Sequence, residues 1–192
     1  MWSKEQILQY LKANLKEARF KHTLGVAITA VQLAEANNED KERTEIAALL
    51  HDAAKNLSEE ELCRILEENS LYIDEIERRV PELLHGKVAA VLGKKIMGIH
   101  DEEILSAVAC HTTGKRNMTT LEKIIYIADT IEPGRYFRGI DELRELTFKS
   151  LDEGVLKGID NTVKYIIRNG GLIHPQTIDA RNYLITYLKE SR

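Results

Sequence analysis

The chain has 192 residues, long enough for one domain with a proper core, and its 43% hydrophobic and 30% charged content is that of a globular protein. A formal net charge of -4 leaves no electrostatic footprint for nucleic acid, although a local cluster of cations can still hold a small anion. Two cysteines, Cys63 and Cys110, are too few for a disulfide framework and read as reduced core thiols; with no basic-then-apolar start and no stretch of roughly 18 apolar residues, the expected location is the cytoplasm.

Ser3 with Gln6 makes a capping box, and Ile7, Leu8, Leu11 and Leu15 recur on one face, so a first helix packs that face inward. Arg19-Phe20-Lys21-His22 leads into residues 24–31, apolar or small nearly all round, which read as a central helix with His22 at its beginning. After the acidic connector Asn37-Asn38-Glu39-Asp40 comes the stretch that organises the chain, residues 45–55. At about 100° per residue, Ile46, Leu49, Leu50, Ala53 and Leu57 share one side of a helix, while His51, Asp52 and Lys55 fall in one arc around the small Ala48. A solvated face would carry more polar residues, and a plain core would shed the carboxylate unless it were paired or bound to metal. The arc points to a metal or phosphate site.

Ser58 and Glu61 open an amphipathic helix with Leu62, Ile65 and Leu66. Pro81 breaks the pattern, and His85 stands just ahead of a helix carrying Val88, Val91, Leu92 and Ile96. Asp101 caps the next, whose buried side of Ile104, Leu105, Val108 and Ala109 runs until His111-Thr112-Thr113-Gly114 ends it. Thr119 with Glu122 makes another capping box before the stripe Leu121, Ile124, Ile127, Ala128 and Ile131, with Asp129 at its edge and Glu132-Pro133-Gly134-Arg135 as the stop. The pattern stays helical over residues 140–169, Gly170-Gly171 turns the chain, and residues 175–189 make a last helix. No period-two alternation, repeat or low-complexity tract interrupts it, so the expected fold is all-α, one compact helical domain over residues 1–192.

Five of these segments carry a His or Asp where packing would not ask for it: His22, His51 with Asp52, His85, His111 and Asp129. Singly, His85 or His111 can satisfy a helix-terminal carbonyl, and Asp129 can pair with a neighbouring Lys or Arg. Together, imidazoles and carboxylates on separate helices are what a bundle uses to hold divalent or iron-type metals in its core. Four His and two Asp exceed the needs of one tetrahedral ion and suit a two-metal centre with one bridging carboxylate.

The order His, His-Asp, His, His, Asp, with Lys55 three residues after the pair, resembles the HD-domain metal-dependent phosphohydrolases. The motifs Arg19-Phe20-Lys21-His22-Thr23-Leu24-Gly25-Val26, Leu50-His51-Asp52-Ala53-Ala54-Lys55, His85-Gly86-Lys87, His111-Thr112-Thr113-Gly114 and Ile127-Ala128-Asp129-Thr130-Ile131-Glu132-Pro133-Gly134-Arg135 are similar to the YqeK-type branch, over about residues 4–190. The resemblance implies an HD-domain helical bundle with two metal ions in its core, iron first and Mn, Co, Mg or Zn as alternatives. It also implies symmetrical hydrolysis of diadenosine tetraphosphate to two ADP by a metal-activated hydroxide. Carried over, His22, His51, Asp52, His85, His111 and Asp129 become the metal ligands, Asp52 the bridge, and Asp52 with Lys55 the catalytic pair.

Arg19, Lys55, Lys87, Arg135 and Arg138 are candidate phosphate ligands, Arg135 foremost because it follows a helix stop near Asp129 and offers a planar fork. Thr112, Thr113 and Gly114 can present hydroxyls and backbone N–H groups to a phosphate, or simply cap a helix. The expected partner is a small-molecule nucleotide, a dinucleoside polyphosphate with ADP or GDP as product, and neither nucleic acid nor membrane; a homodimer is left open. Two rival readings share the site: an HD nucleotidase or pyrophosphohydrolase acting on mononucleotides or guanosine polyphosphates, and a catalytically silent nucleotide sensor, which has no physical need of all six ligands.

Overall fold

The computed structural model describes residues 1–190, and among them every regular element is helical. In chain order these are α1 (Lys4–Asn14), α2 (Glu17–Ala36), α3 (Lys41–Leu50), α4 (Glu59–Glu68), α5 (Glu75–Arg79), a 3₁₀ turn (Pro81–Leu83), α6 (Leu84–Lys95), α7 (Glu102–Cys110), α8 (Thr120–Ile131), α9 (Ile140–Lys149), α10 (Leu151–Arg168) and α11 (Pro175–Glu190). The starts follow from local chemistry. Ser3, Ser58 and Thr119 close reciprocal boxes with Gln6, Glu61 and Glu122, and Asp40 and Asp101 accept from the first amides of α3 and α7. A fourth box, Asp74 with Glu77, nucleates α5, too short to leave a periodic signal in the sequence.

The helix α8 forms the axis, burying Leu121, Ile124, Ile125, Ile127, Ala128 and Ile131. It packs against α2, α7 and α10; α2 also packs on α3, and α7 on α6. A single cluster of buried apolar residues runs from Ile7 in α1 to Leu184 in α11. One expectation changes on α2: Val26, Ala27 and Ala30 are buried, but Ile28 is 58% exposed because its face of the helix lines an open cleft. Another changes beyond residue 140, where Ser150 adopts an extended backbone, ends α9 and caps α10 through Glu153 N–H. No described helix is long and apolar enough to cross a membrane.

The organising stretch also differs from a continuous helix. The α3 segment ends at Leu50, and residues 51–57 proceed by tighter three-residue turns, with Ala53 N–H donating to Leu50, Lys55 to Asp52 and Leu57 to Ala54. The cause is His51, whose Nδ1–H donates to the Ala48 carbonyl at 2.6 Å. That carbonyl is the one a continuing helix would give to the amide of Asp52. His111 does the same at the end of α7, donating to Val108 at 2.7 Å, which is the carbonyl the amide of Thr112 would use. Two of the candidate ligands thus end the helices that carry them.

Candidate metal centre

His85, in the first turn of α6, repeats this arrangement by donating Nδ1–H to the Glu82 carbonyl. A carbonyl only accepts, so in His51, His85 and His111 the hydrogen sits on Nδ1 and each Nε2 carries a lone pair. His22, from α2, is held differently: its Nδ1 lies 3.1 Å from the carboxylate of Glu132.

The freed atoms converge. Asp52 places Oδ1 3.1 Å from His85 Nε2 and Oδ2 3.3 Å from His51 Nε2 and 3.6 Å from His22 Nε2. Asp129 Oδ1 stands 2.9 Å from His22 Nε2, and the Nε2 atoms of His85 and His111 face each other at 3.1 Å. Asp52 is 2% exposed and His51 fully enclosed. Despite these short separations, His22 Nε2 and His51 Nε2 are buried without a hydrogen-bond partner. Two lone pairs at 3.1 Å, and buried nitrogens left unsatisfied, are unfavourable unless a cation lies among them. The residues present fit a metal: His22, His51 and Asp129 form one group able to hold an ion, and His51, Asp52 and His111 another.

Electrostatics agree with that fit. Burial pushes His111 down to about 3, with His85 and His51 adding to it, so the ring stays a neutral ligand. Burial works to raise Asp52, but His51 and His85 hold it well below the usual carboxylate range. Burial likewise opposes ionisation of Asp129, and the His22 contact outweighs it. Burial lowers Lys55, against the pull of Asp52. The metal-free chain therefore loses stability as pH falls. Unfolded, His111 titrates near 6.5; folded, only near 3, so acid favours the unfolded state between those values. The lowered Asp52 and Asp129 act in the same direction below about pH 4. His51, raised because Asp52 outweighs its burial, offsets part of the loss. Between pH 7 and 4 a net loss of roughly 2 kcal/mol is expected, a fall in melting temperature of about 4–8 °C in chelator. A flat melting profile over that range would contradict a neutral, buried His111.

Above the centre opens a cleft of about 870 Å³ whose walls carry Lys16, Arg19, Lys21, Lys55 and Arg135. This is a concentrated positive surface in a chain of net charge -4. Arg19 reaches Asp52 Oδ2 at 2.8 Å, and Arg135 grips both the carboxylate of Asp129 at 2.7 Å and its backbone oxygen at 3.0 Å. Lys55 stands between this cleft and a smaller one of about 230 Å³ bordered by Leu57, Leu62, Pro81, Glu82 and His85.

Five candidates lie elsewhere. Lys87 is bound to Glu77 at 2.5 Å and to the Tyr72 carbonyl, because α5 brings a carboxylate to it. Arg138 projects into solvent in the loop before α9. Thr112 Oγ1 donates to the Leu83 carbonyl, Thr113 turns to the Gly114 carbonyl and to Gln176 of α11, and Gly114, with φ of +67°, ends the turn after α7. These three residues close a helix.

Sequence reasoning passed over Glu132 and Arg144. Glu132 is 4% exposed, and a Cβ on Gly25 would lie within van der Waals overlap of its carboxylate, so the absence of a side chain there makes room for it. Gly25 is three residues after His22, on the same helix face, and that spacing was the available signal. Arg144 of α9 donates to the carbonyls of Ile131, Glu132 and Arg135, fixing the turn that presents both Glu132 and Arg135.

Comparison with known proteins agrees with this arrangement. Residues 19–134 match the HD domain family. A symmetrical bis(5'-nucleosyl)-tetraphosphatase of Bacillus subtilis is 38% identical over 96% of this chain and 98% of its own, and one of Staphylococcus aureus is 38% identical over 93% of each. A crystal structure from Clostridium acetobutylicum, described as a predicted HD superfamily hydrolase involved in NAD metabolism, is 49% identical and superposes with a TM-score of 0.95 over 97% of this chain and 99% of that one. With likeness of that extent over the whole length, and the His and Asp side chains gathered in one place, this chain belongs to the HD-domain phosphohydrolases, in their YqeK-type branch.

Proposed function

We propose that this chain hydrolyses diadenosine tetraphosphate symmetrically to two ADP at a two-metal centre, iron being the first candidate. The observation that carries the reading is Asp52, whose two oxygens face different imidazole groups, His51 and His22 on one side and His85 on the other, directly behind Arg19 and His22, which line a cation-rich cleft. The names of the full-length relatives support the same substrate. In this reading His22, His51, Asp129 and Asp52 would hold one ion, and His85, His111 and Asp52 the other. Ions so held would supply an acidified water near neutral pH and neutralise phosphoryl oxygens.

The chain's own side chains supply the rest. Arg19, Lys55 and Arg135 hold the flanking phosphates, Arg135 through a guanidinium already fixed by Asp129 and therefore aimed before substrate arrives. Lys55, lowered by burial and 3.4 Å from His85, is the side chain that would meet the charge on the departing diphosphate. Two unpaired thiols, Cys63 and Cys110, suit the reducing cytoplasm, where we place the enzyme.

The test is product identity. In isotopically labelled water diadenosine tetraphosphate should yield ADP alone, half of its molecules labelled, because one water attacks and the other half leaves intact. AMP with ATP would refute the symmetrical register. Faster turnover of mononucleotides or guanosine polyphosphates in the same assay would move the site to a general nucleotidase.

A further inference from the structure

Three of the four imidazoles at the centre give their Nδ1–H to a backbone carbonyl; His22 alone gives it to a carboxylate. That carboxylate, on Glu132, is enclosed on purpose-shaped ground. Its second oxygen accepts the Gly134 amide at 2.5 Å, a Cβ on Gly134 would lie 2.8 Å from the first oxygen and 3.0 Å from the second, and Gly25 leaves the space on the other side. Arg144 pins the turn from behind through the Glu132 carbonyl at 2.9 Å.

A full negative charge behind Nδ1 makes Nε2 a stronger donor than a carbonyl does. The group around His22 also contains Asp129, whereas the group around His85 and His111 has no carboxylate except a share of Asp52 and has the Lys55 ammonium 3.4 Å from His85. We infer that the two metal positions are unequal, that the one at His22 fills first and more tightly, and that Glu132 is the positioning residue that sets the difference. The inference rests on the two-metal reading given above. Glu132 acts on the centre through the His22 ring, 3.1 Å from its carboxylate.

The experiment is a calorimetric Mn²⁺ titration of the metal-free protein. The native chain should show one tight and one weaker class of site. In Glu132→Gln, which keeps the shape but loses the charge and one of the two accepting oxygens, the tight class should weaken about 10–100-fold, the usual effect of removing such a partner, while the weak class stays as it was. Gly25→Ala, whose Cβ presses on the same carboxylate, should weaken the same class. Titration of both variants with two unchanged classes would overturn the inference while leaving the two-metal reading intact. A native chain that binds no Mn²⁺ would overturn both.

Discussion

Asp52→Ala should abolish hydrolysis while leaving the helical fold in place. Its carboxylate stands within 3.6 Å of Arg19, His22, His51 and His85, so in the proposed two-metal reading one substitution removes the shared ligand from both positions. Metal content should drop from two ions per chain to one or fewer. Turnover should fall by about 10⁴-fold or more, some 5 kcal/mol at the barrier, because the acidified water and the phosphoryl clamp disappear together. Folding should tolerate the change: removal of a buried carboxylate also removes its desolvation penalty, and Arg19, 29% exposed, can rehydrate. Elemental analysis, ADP formation and circular dichroism on one preparation decide the matter. Native metal content and native turnover in this variant would end the two-metal account.

Gly86→Val should damage fold and site together. A Cβ at Gly86 would stand 3.0 Å from the backbone oxygens of Val108 and Ala109 and 3.1 Å from His111 Nδ1, and the two methyls of valine would go further into them. Backbone at the end of α7 has no rotamer to escape into, so α6 and α7 must separate, carrying His85 and His111 apart. Overpacking of this kind costs about 1–3 kcal/mol or more, a drop of roughly 2–12 °C in a chain of this size. Hydrolysis should be lost even well below the new melting temperature. A variant that melts low yet turns over normally would mean that the spacing of those two rings does not matter.

How far the sequence disclosed this site depends on where each residue's partner lies. His22, His51, His85, His111, Asp52 and Asp129 stood out because each interrupts an apolar helical pattern, and that anomaly is local. Glu132 was hidden because it follows Ile131 at a helix stop, where an acidic residue before Pro and Gly reads as punctuation; its burial arises only when α2 lays Gly25 against it. Lys87 is drawn to another partner for the converse reason. Its partner Glu77 belongs to a helix of five residues, which shows no periodicity, so the charge that claims Lys87 could not be seen. The premature end of α3 was equally invisible, since a ring nitrogen capturing Ala48's carbonyl leaves the apolar spacing unchanged.

Three rings tethered to carbonyls three residues earlier in the chain also bear on how the protein takes up and gives up its ions. Each tether closes within its own helix end, so ring orientation is set when that turn forms and owes nothing to the ligands arriving from distant helices. Loading then freezes few new rotamers, sparing on the order of 0.5–1 kcal/mol of side-chain entropy per ring. The centre is a stiff cage rather than a drawstring: chelation should empty it and fresh metal refill it through many cycles, with the same helical content before, between and after.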